Sequence, residues 1–275
     1  MFKQLKNEAL VRFDIEVDTP LVIRSGEKNI LDPSLPEDQV VKQYRNGKLE
    51  PVIPGSSLKG VFRSRAEKLL RSMGYQVDNP FRQITPEERK SSNKKTAEQL
   101  YKESCPATKI FGNQLLKSRV AFADAYIKDG CEYKFGTRHG VAIDRITGGS
   151  KDKKKFDYEV VEDGTFSASF TLTNFELWQL KILLWMLKEM DEGYIKLGSA
   201  TSRGFGKVYV PNVTVKIISY TGQKETDAIY GYYREKDRTA QQVQWQKDFI
   251  GHYFEKETLE SWIGEDGLLE NIAMP

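Results

Sequence analysis

Side chains able to hold an anion gather in two short stretches. In IPGSSLKG (53–60), Ser56, Ser57 and Lys59 follow a proline and a glycine and stand at the mouth of an amphipathic run. Small residues there let a ligand approach the backbone closely. A helix starting behind them presents unpaired N–H groups and a partial positive charge, which together favour phosphate. Arg63 follows one turn further on. The stretch is not a P-loop, which needs a serine or threonine after its lysine; here Gly60 follows Lys59. The second stretch is LGSATSRGFGK (197–207), where Gly198, Gly204 and Gly206 alternate with Ser199, Ser202 and Arg203. Taken singly, each is explained equally well as an ordinary junction, loop to helix in the first and helix to strand in the second.

A third cationic group is Arg138, His139 and Arg145, followed by Lys151, Lys153, Lys154 and Lys155. A lysine run is ordinarily a solvated tip, although positive charge along a hairpin can also follow a phosphate backbone. The acids to consider are Asp32, Glu37 and Asp38, in a Pro-containing loop where acids commonly serve as turn or cap residues. To do chemistry, one of them must lie beside a phosphodiester, with a metal or as proton acceptor. His139 and His252 have no ligand or triad partner at useful spacing.

The elements that must carry these groups follow from pattern. VRFDIEV (11–17) alternates and reads as a half-buried strand. Residues 24–52 show no sustained period and read as a long loop. LKGVFRSRAEKLLRSM places Leu58, Val61, Phe62, Leu69, Leu70 and Met73 at helical spacing, with Ser56 or Ser57 as its cap. Residues 76–104 read as a polar, mobile, partly helical insertion. RVAFADAYI (119–127) reads as a second strand. Residues 137–164 read as a hairpin with GGSKDKKK at its tip and VAIDRI and FDYEVV as arms. TFSASFTLT (165–173) alternates, Phe175–Met190 is a strongly apolar helix, and KVYV and VTVKII are closing strands.

Strand, helix, strand, strand, helix, strand is the split βαβ order of an α+β, ferredoxin-like (RRM-like) fold with large insertions. The expected organisation is one domain over 1–220, with insertions at about 24–52, 76–104 and 137–164. A C-terminal helical extension over 221–275 would follow it. In that fold both glycine turns border the central sheet, and two phosphate-friendly turns suggest a nucleic acid before a nucleotide.

Composition narrows the classes. The 275 residues carry 42 basic and 39 acidic side chains, a net charge of +3, so an RNA site must come from local clustering. Two cysteines, Cys105 and Cys131, form no pair motif, which fits a reducing cytoplasm rather than a disulfide framework. No stretch is long and apolar enough to span a membrane.

IPGSSLKGVFRSRAEKLL, IFGN (110–113), RVAFADAY, HGVAIDRITGGSKDKKKFDYEVVEDGTF and LGSATSRGFGKVYV, in this order, resemble the repeat-associated (RAMP) superfamily of CRISPR–Cas proteins. In particular they resemble the guide-RNA-binding backbone subunit of type III effector complexes. The resemblance spans roughly 8–215. It implies a ferredoxin-like palm with an inserted thumb hairpin, and copies stacked as a filament along one CRISPR RNA beside other type III effector subunits. Each thumb would interrupt the guide–target duplex at regular intervals. In active members a loop aspartate beside each interruption cleaves single-stranded target RNA with a divalent metal, magnesium or manganese. In EDQVVKQYRNGKLEPVIPGSS the matching acid, and the metal ligand, is Asp38, with Asp32 of NILDPS as the alternative. The same resemblance makes Ser56, Ser57, Lys59, Arg63, Ser199, Ser202 and Arg203 ligands of the guide backbone, and Arg138, His139 and Arg145 part of the thumb. Some relatives carry zinc-binding cysteines before the FG motif. ESCPATKIFG keeps only Cys105, with Thr108 in the second place, so no structural zinc is expected.

These residues leave other readings open: a purely structural subunit, a guide-processing nuclease using His139 as base, and a mononucleotide sensor.

Overall fold

A computed structural model describes residues 4–28, 36, 38–79, 82, 84–92, 94–219 and 240–246. Chain order runs β1 (Asn7–Val17), β2 (Arg24–Lys28), β3 (Asp38–Val40), β4 (Lys42–Arg45), β5 (Lys48–Ile53), then α1 (Gly55–Ser72), α2 (Pro86–Ser92), α3 (Ala97–Glu103) and α4 (Pro106–Phe111). It continues with β6 (Val120–Phe122), β7 (Ala125–Ile127), β8 (Tyr133–Ile143), β9 (Ser150–Thr173) and α5 (Leu177–Asp191), then β10 (Val208–Tyr209), β11 (Asn212–Ser219) and β12 (Ala240–Gln246).

The palm is the expected ferredoxin-like arrangement. β1 lies between β11 and the C-terminal half of β9, and β7 flanks β9 on its other side, all antiparallel. The alternation in β1 works as read: Val11, Phe13 and Ile15 are buried, while Arg12 and Glu16 face solvent. β9 repeats it with Phe166, Phe170 and Leu172 inside and Ser167 and Thr171 outside. α1 and α5 cover the apolar face. Phe62 of α1 meets Phe122 and Phe170 edge-on, with centroids at 4.9 and 6.4 Å, and Phe13 meets Phe170 at 6.1 Å. Burying each ring contributes about 1.5–3 kcal/mol, and each such pairing adds about 0.5–1.5 kcal/mol.

Several expectations are corrected. Residues 24–52 are not a featureless loop: β2 and β3 pair with each other, and β4 and β5 form a hairpin. The hairpin turns at Asn46 (φ 51°) and Gly47 (φ 78°), two left-handed residues that match the twist of the flanking strands. RVAFADAYI is two strands, β6 and β7, broken at Ala123–Asp124. The thumb hairpin pairs β8 with the N-terminal part of β9, so it is longer than expected and turns at Asp144–Gly149. The lysine run 151–155 therefore lies in a strand arm and not at the tip. At the tip, the Ile146 and Thr147 amides donate to Asp144 Oδ1 at 2.8 and 3.0 Å. These bonds, Thr147's foremost, hold the Asp144 carboxyl below the usual carboxylate range.

The C-terminal end of the 76–104 insertion is anchored, where a loose segment was expected. Tyr101 of α3 is 7% exposed and joins Arg119, Glu176 and Gln179 in a polar cluster under the N-terminus of α5. Of the expected helical extension, the described part is β12, which pairs with β11 along the sheet edge; the rest lies outside the described residues. Among the described residues no helix is long and apolar enough to cross a membrane.

Candidate nucleic-acid interface

The opening turn is built differently from its sequence reading. Pro54 occupies the cap position of α1, and neither Ser56 nor Ser57 caps it by side chain; both lie in the first helical turn. The Gly55 amide instead donates to Asp124 Oδ1 at 2.7 Å, so the break between β6 and β7 delivers a carboxylate to the helix N-terminus. A Cβ on Gly55 would lie 2.6 Å from the Phe122 carbonyl oxygen. That glycine therefore serves packing between α1 and the sheet. Ser56 and Gly60 face solvent, and Ser57 and Lys59 are half-buried. Burial, then the neighbouring Arg63 charge, pushes the Lys59 ammonium below the usual lysine value. Arg63 is a staple: its Nε donates to Glu67 Oε1 at 2.8 Å and its Nη1 to the Gly112 carbonyl at 2.9 Å.

The second glycine turn is stitched to the segment after β1. The Ser199 amide donates to the Val22 carbonyl at 2.7 Å, and the Gly206 amide to the Pro20 carbonyl at 2.9 Å. Gly198 (φ 77°) and Gly206 (φ 78°) lie against the Val22 and Leu197 carbonyls, where a side chain has no room. Ser202, Arg203 and Gly204 are exposed, and Gly204 has open space around it.

Asp38 opens β3, which bridges to Tyr158 of β9 in parallel and to Lys28 of β2. The acid thus stands at the root of the thumb. Its Oδ2 lies 3.4 Å from Arg24 Nη2, and the Arg24 guanidinium sits 5.3 Å from the Tyr158 ring centroid. Arg203 reaches the same tyrosine, donating from Nη1 to its hydroxyl at 3.3 Å. Glu159 fixes the end of β3 and the start of β4: it accepts from the Val40 amide at 3.1 Å and from Lys42 Nζ at 2.5 Å. Asp32 lies outside the described residues.

Asp38 and Arg203, far apart in sequence, therefore meet around Tyr158. Ser56, Ser57 and Lys59 share no hydrogen bond or ion pair with them among the described residues. On the thumb, Arg138 pairs in register with Tyr158, and its Nη2 is 3.9 Å from Glu162 Oε1. His139 Nδ1 lies 2.6 Å from Asp157 Oδ1, and Arg145 is exposed at the tip. Sequence reasoning missed Arg24, Tyr158 and Asp124. Tyr158 was visible as an inward position of the alternating FDYEVV; Arg24 and Asp124 acquire their roles only through pairing across the fold.

Among the described residues no three His, Cys, Asp or Glu side chains are grouped to hold a metal ion by themselves. Asp38 offers one carboxylate, already beside a guanidinium. A magnesium-type cation is commonly held by one or two carboxylates together with substrate phosphates. At the Cys105 position, the Cys105 thiol donates to Thr108 Oγ1 at 3.3 Å and Thr108 Oγ1 to Asp78 Oδ2 at 3.4 Å.

Residues 14–209 match the RAMP superfamily, and the chain belongs to it. No curated protein matches the chain. Among solved structures the chain is similar to one described as "Cryo-EM structure of the Type III-B Cmr-beta bound to cognate target RNA", with TM-score 0.51 and 17% identity. The likeness covers 76% of this chain and 61% of that one, and at this identity it shows the shared fold.

Proposed function

We propose that the chain is a guide-RNA-binding backbone subunit of a type III CRISPR–Cas effector complex and that it cleaves target RNA. Copies would line one CRISPR RNA beside other effector subunits, the palm turns holding the backbone and the thumb entering the guide–target duplex. The observation that carries this reading is the placement of Asp38 at the root of the thumb, with Arg24 and Arg203 around it. A strand broken open by the thumb would expose a kinked phosphodiester there. The ribose 2′-oxygen would attack the adjacent phosphorus, the P–O5′ bond would break, and Asp38 would take the 2′-hydroxyl proton. In-line alignment of attacking and leaving oxygens supplies much of such a rate enhancement. Asp38 would hold a divalent cation, magnesium or manganese, which would neutralise charge on the phosphate.

The test is to assemble the chain with its neighbours on guide RNA and add complementary RNA. Asp38→Ala should stop regularly spaced cutting and leave assembly intact; undiminished cutting removes Asp38 from the chemistry. One observation favours a second reading, a structural subunit without catalysis: the Asp38 carboxylate is already paired with Arg24. In that case the unsubstituted assembly binds target and leaves it whole.

A further inference from the structure

We propose that Arg24 and Arg203, converging on Tyr158, form a seat for one RNA backbone phosphate beside Asp38. On binding, Arg24 exchanges the Asp38 carboxylate for that phosphate. The inference rests on the RNA-binding reading above and deepens it.

The geometry is that of a site waiting for a second anion. Arg24 touches Asp38 through one nitrogen at 3.4 Å, the long end of an ion pair and not a two-bond fork. A guanidinium carries five donors and binds phosphate through two parallel bonds, which are stronger. The Arg24 side chain is 42% exposed against 15% for Asp38, so a ligand arriving from solvent meets the cation before the acid. Tyr158, only 7% exposed and packed near Phe205, is a fixed wall. Arg203 comes to that wall from a different element. Its turn is pinned by the Ser199 and Gly206 amides, and Gly204 next to it leaves open space. Two cations of separate origin on one rigid ring suit a planar, bidentate hold on a single phosphate better than two independent contacts.

The experiment measures affinity of the full chain for a single-stranded oligoribonucleotide as a function of salt. It compares the unsubstituted protein with Arg24→Ala/Arg203→Ala and Arg24→Lys/Arg203→Lys double variants. Each lost phosphate contact lowers the slope of log K against log[salt] by about 0.7 on a single strand. The alanine pair should lose about 0.7 from the slope, one phosphate, so between about 50 and 200 mM salt its affinity falls about 2.6-fold less than that of the parent. The lysine pair, which keeps the charges, should retain most of the slope. Unchanged slopes in the alanine pair overturn the seat while leaving RNA binding standing. Equal loss in the lysine pair also overturns it, because the arginines then act through structure and not charge. No binding by the unsubstituted protein overturns the RNA reading and the seat with it. Running the series on guide alone, then with target added to guide-loaded protein, shows which strand supplies the phosphate.

Discussion

The chain twice sets an arginine over a tyrosine with a carboxylate beside it. Under the N-terminus of α5, Arg119 lies over Tyr101 with Glu176 at 3.4 Å; at the thumb root, Arg24 lies over Tyr158 with Asp38 at 3.4 Å. Both tyrosines are 7% exposed. The arginines differ: the Arg119 side chain is 3% exposed and sits 3.9 Å from its ring, whereas Arg24 is 42% exposed at 5.3 Å. In the first cluster Gln179 and the Asn174 carbonyl add further bonds to Arg119, and Trp178 binds the free oxygen of Glu176. A buried charge is tolerated only with such partners around it, and such a cluster specifies structure. The open cluster leaves its arginine in reach of solvent. Exposure, not composition, separates the staple from the candidate site.

The largest expected effect breaks the staple. Arg119→Ala leaves Glu176 and the Asn174 carbonyl without their buried cation and should cost about 3–5 kcal/mol. For a protein of this size that corresponds to a fall in Tm of very roughly 10 °C, read by thermal unfolding. A loss under about 1 kcal/mol would put the two clusters in one class and remove the contrast. Next comes Asp38→Ala, expected to cut target cleavage about 10²-fold or more, a barrier increase of about 3 kcal/mol, with Tm nearly unchanged. An Asp38 variant that melted like the Arg119 variant would make the thumb root a staple too.

The two clusters also differ in how far the sequence revealed them. The palm was legible because its strands alternate and its helices bury one face, so Phe13, Phe62 and Phe170 could be assigned inward from spacing alone. IPGSS was legible as a turn, yet its glycine faces the sheet backbone and its cap is Asp124, a residue about 70 positions away in the chain. Asn46–Gly47 was a plain hairpin signal inside a stretch read as loop. Arg24 and Arg119 each follow or precede apolar residues without period, and what they touch depends on strand pairings that no local pattern encodes.

A smaller effect sharpens the contrast through pH. Burial, with Glu176 adding to it, raises the Tyr101 phenol far above its ordinary value near 10, against the opposing Arg119 charge and the Gln179 hydrogen bond. In the unfolded chain the same phenol ionises near 10. Folding therefore gains a contribution that is complete below about pH 10 and is lost as pH rises beyond it, because the unfolded state alone gives up the proton. Denaturant unfolding at pH 9–11 should show stability falling by up to about 1.4 kcal/mol per pH unit from this group. Tyr101→Phe should remove that share of the slope; an unchanged slope would place the ionisable group elsewhere.

The smallest effect is the most discriminating. Arg24→Ala removes an ion pair whose cation is substantially hydrated, and pairs of this kind contribute about 0–1 kcal/mol. Stability should fall by less than about 1 kcal/mol, and the Arg24→Ala/Asp38→Ala double variant should match the sum of the singles within about 0.5 kcal/mol. The corresponding Arg119 and Glu176 cycle should be strongly non-additive, since Arg119 without its carboxylate is a buried charge at 3% exposure. Additivity at the thumb root together with coupling under α5 would mean that Arg24 and Asp38 are kept together for a ligand and not for the fold. Strong coupling at both would mean that Arg24 cannot leave Asp38 when RNA arrives.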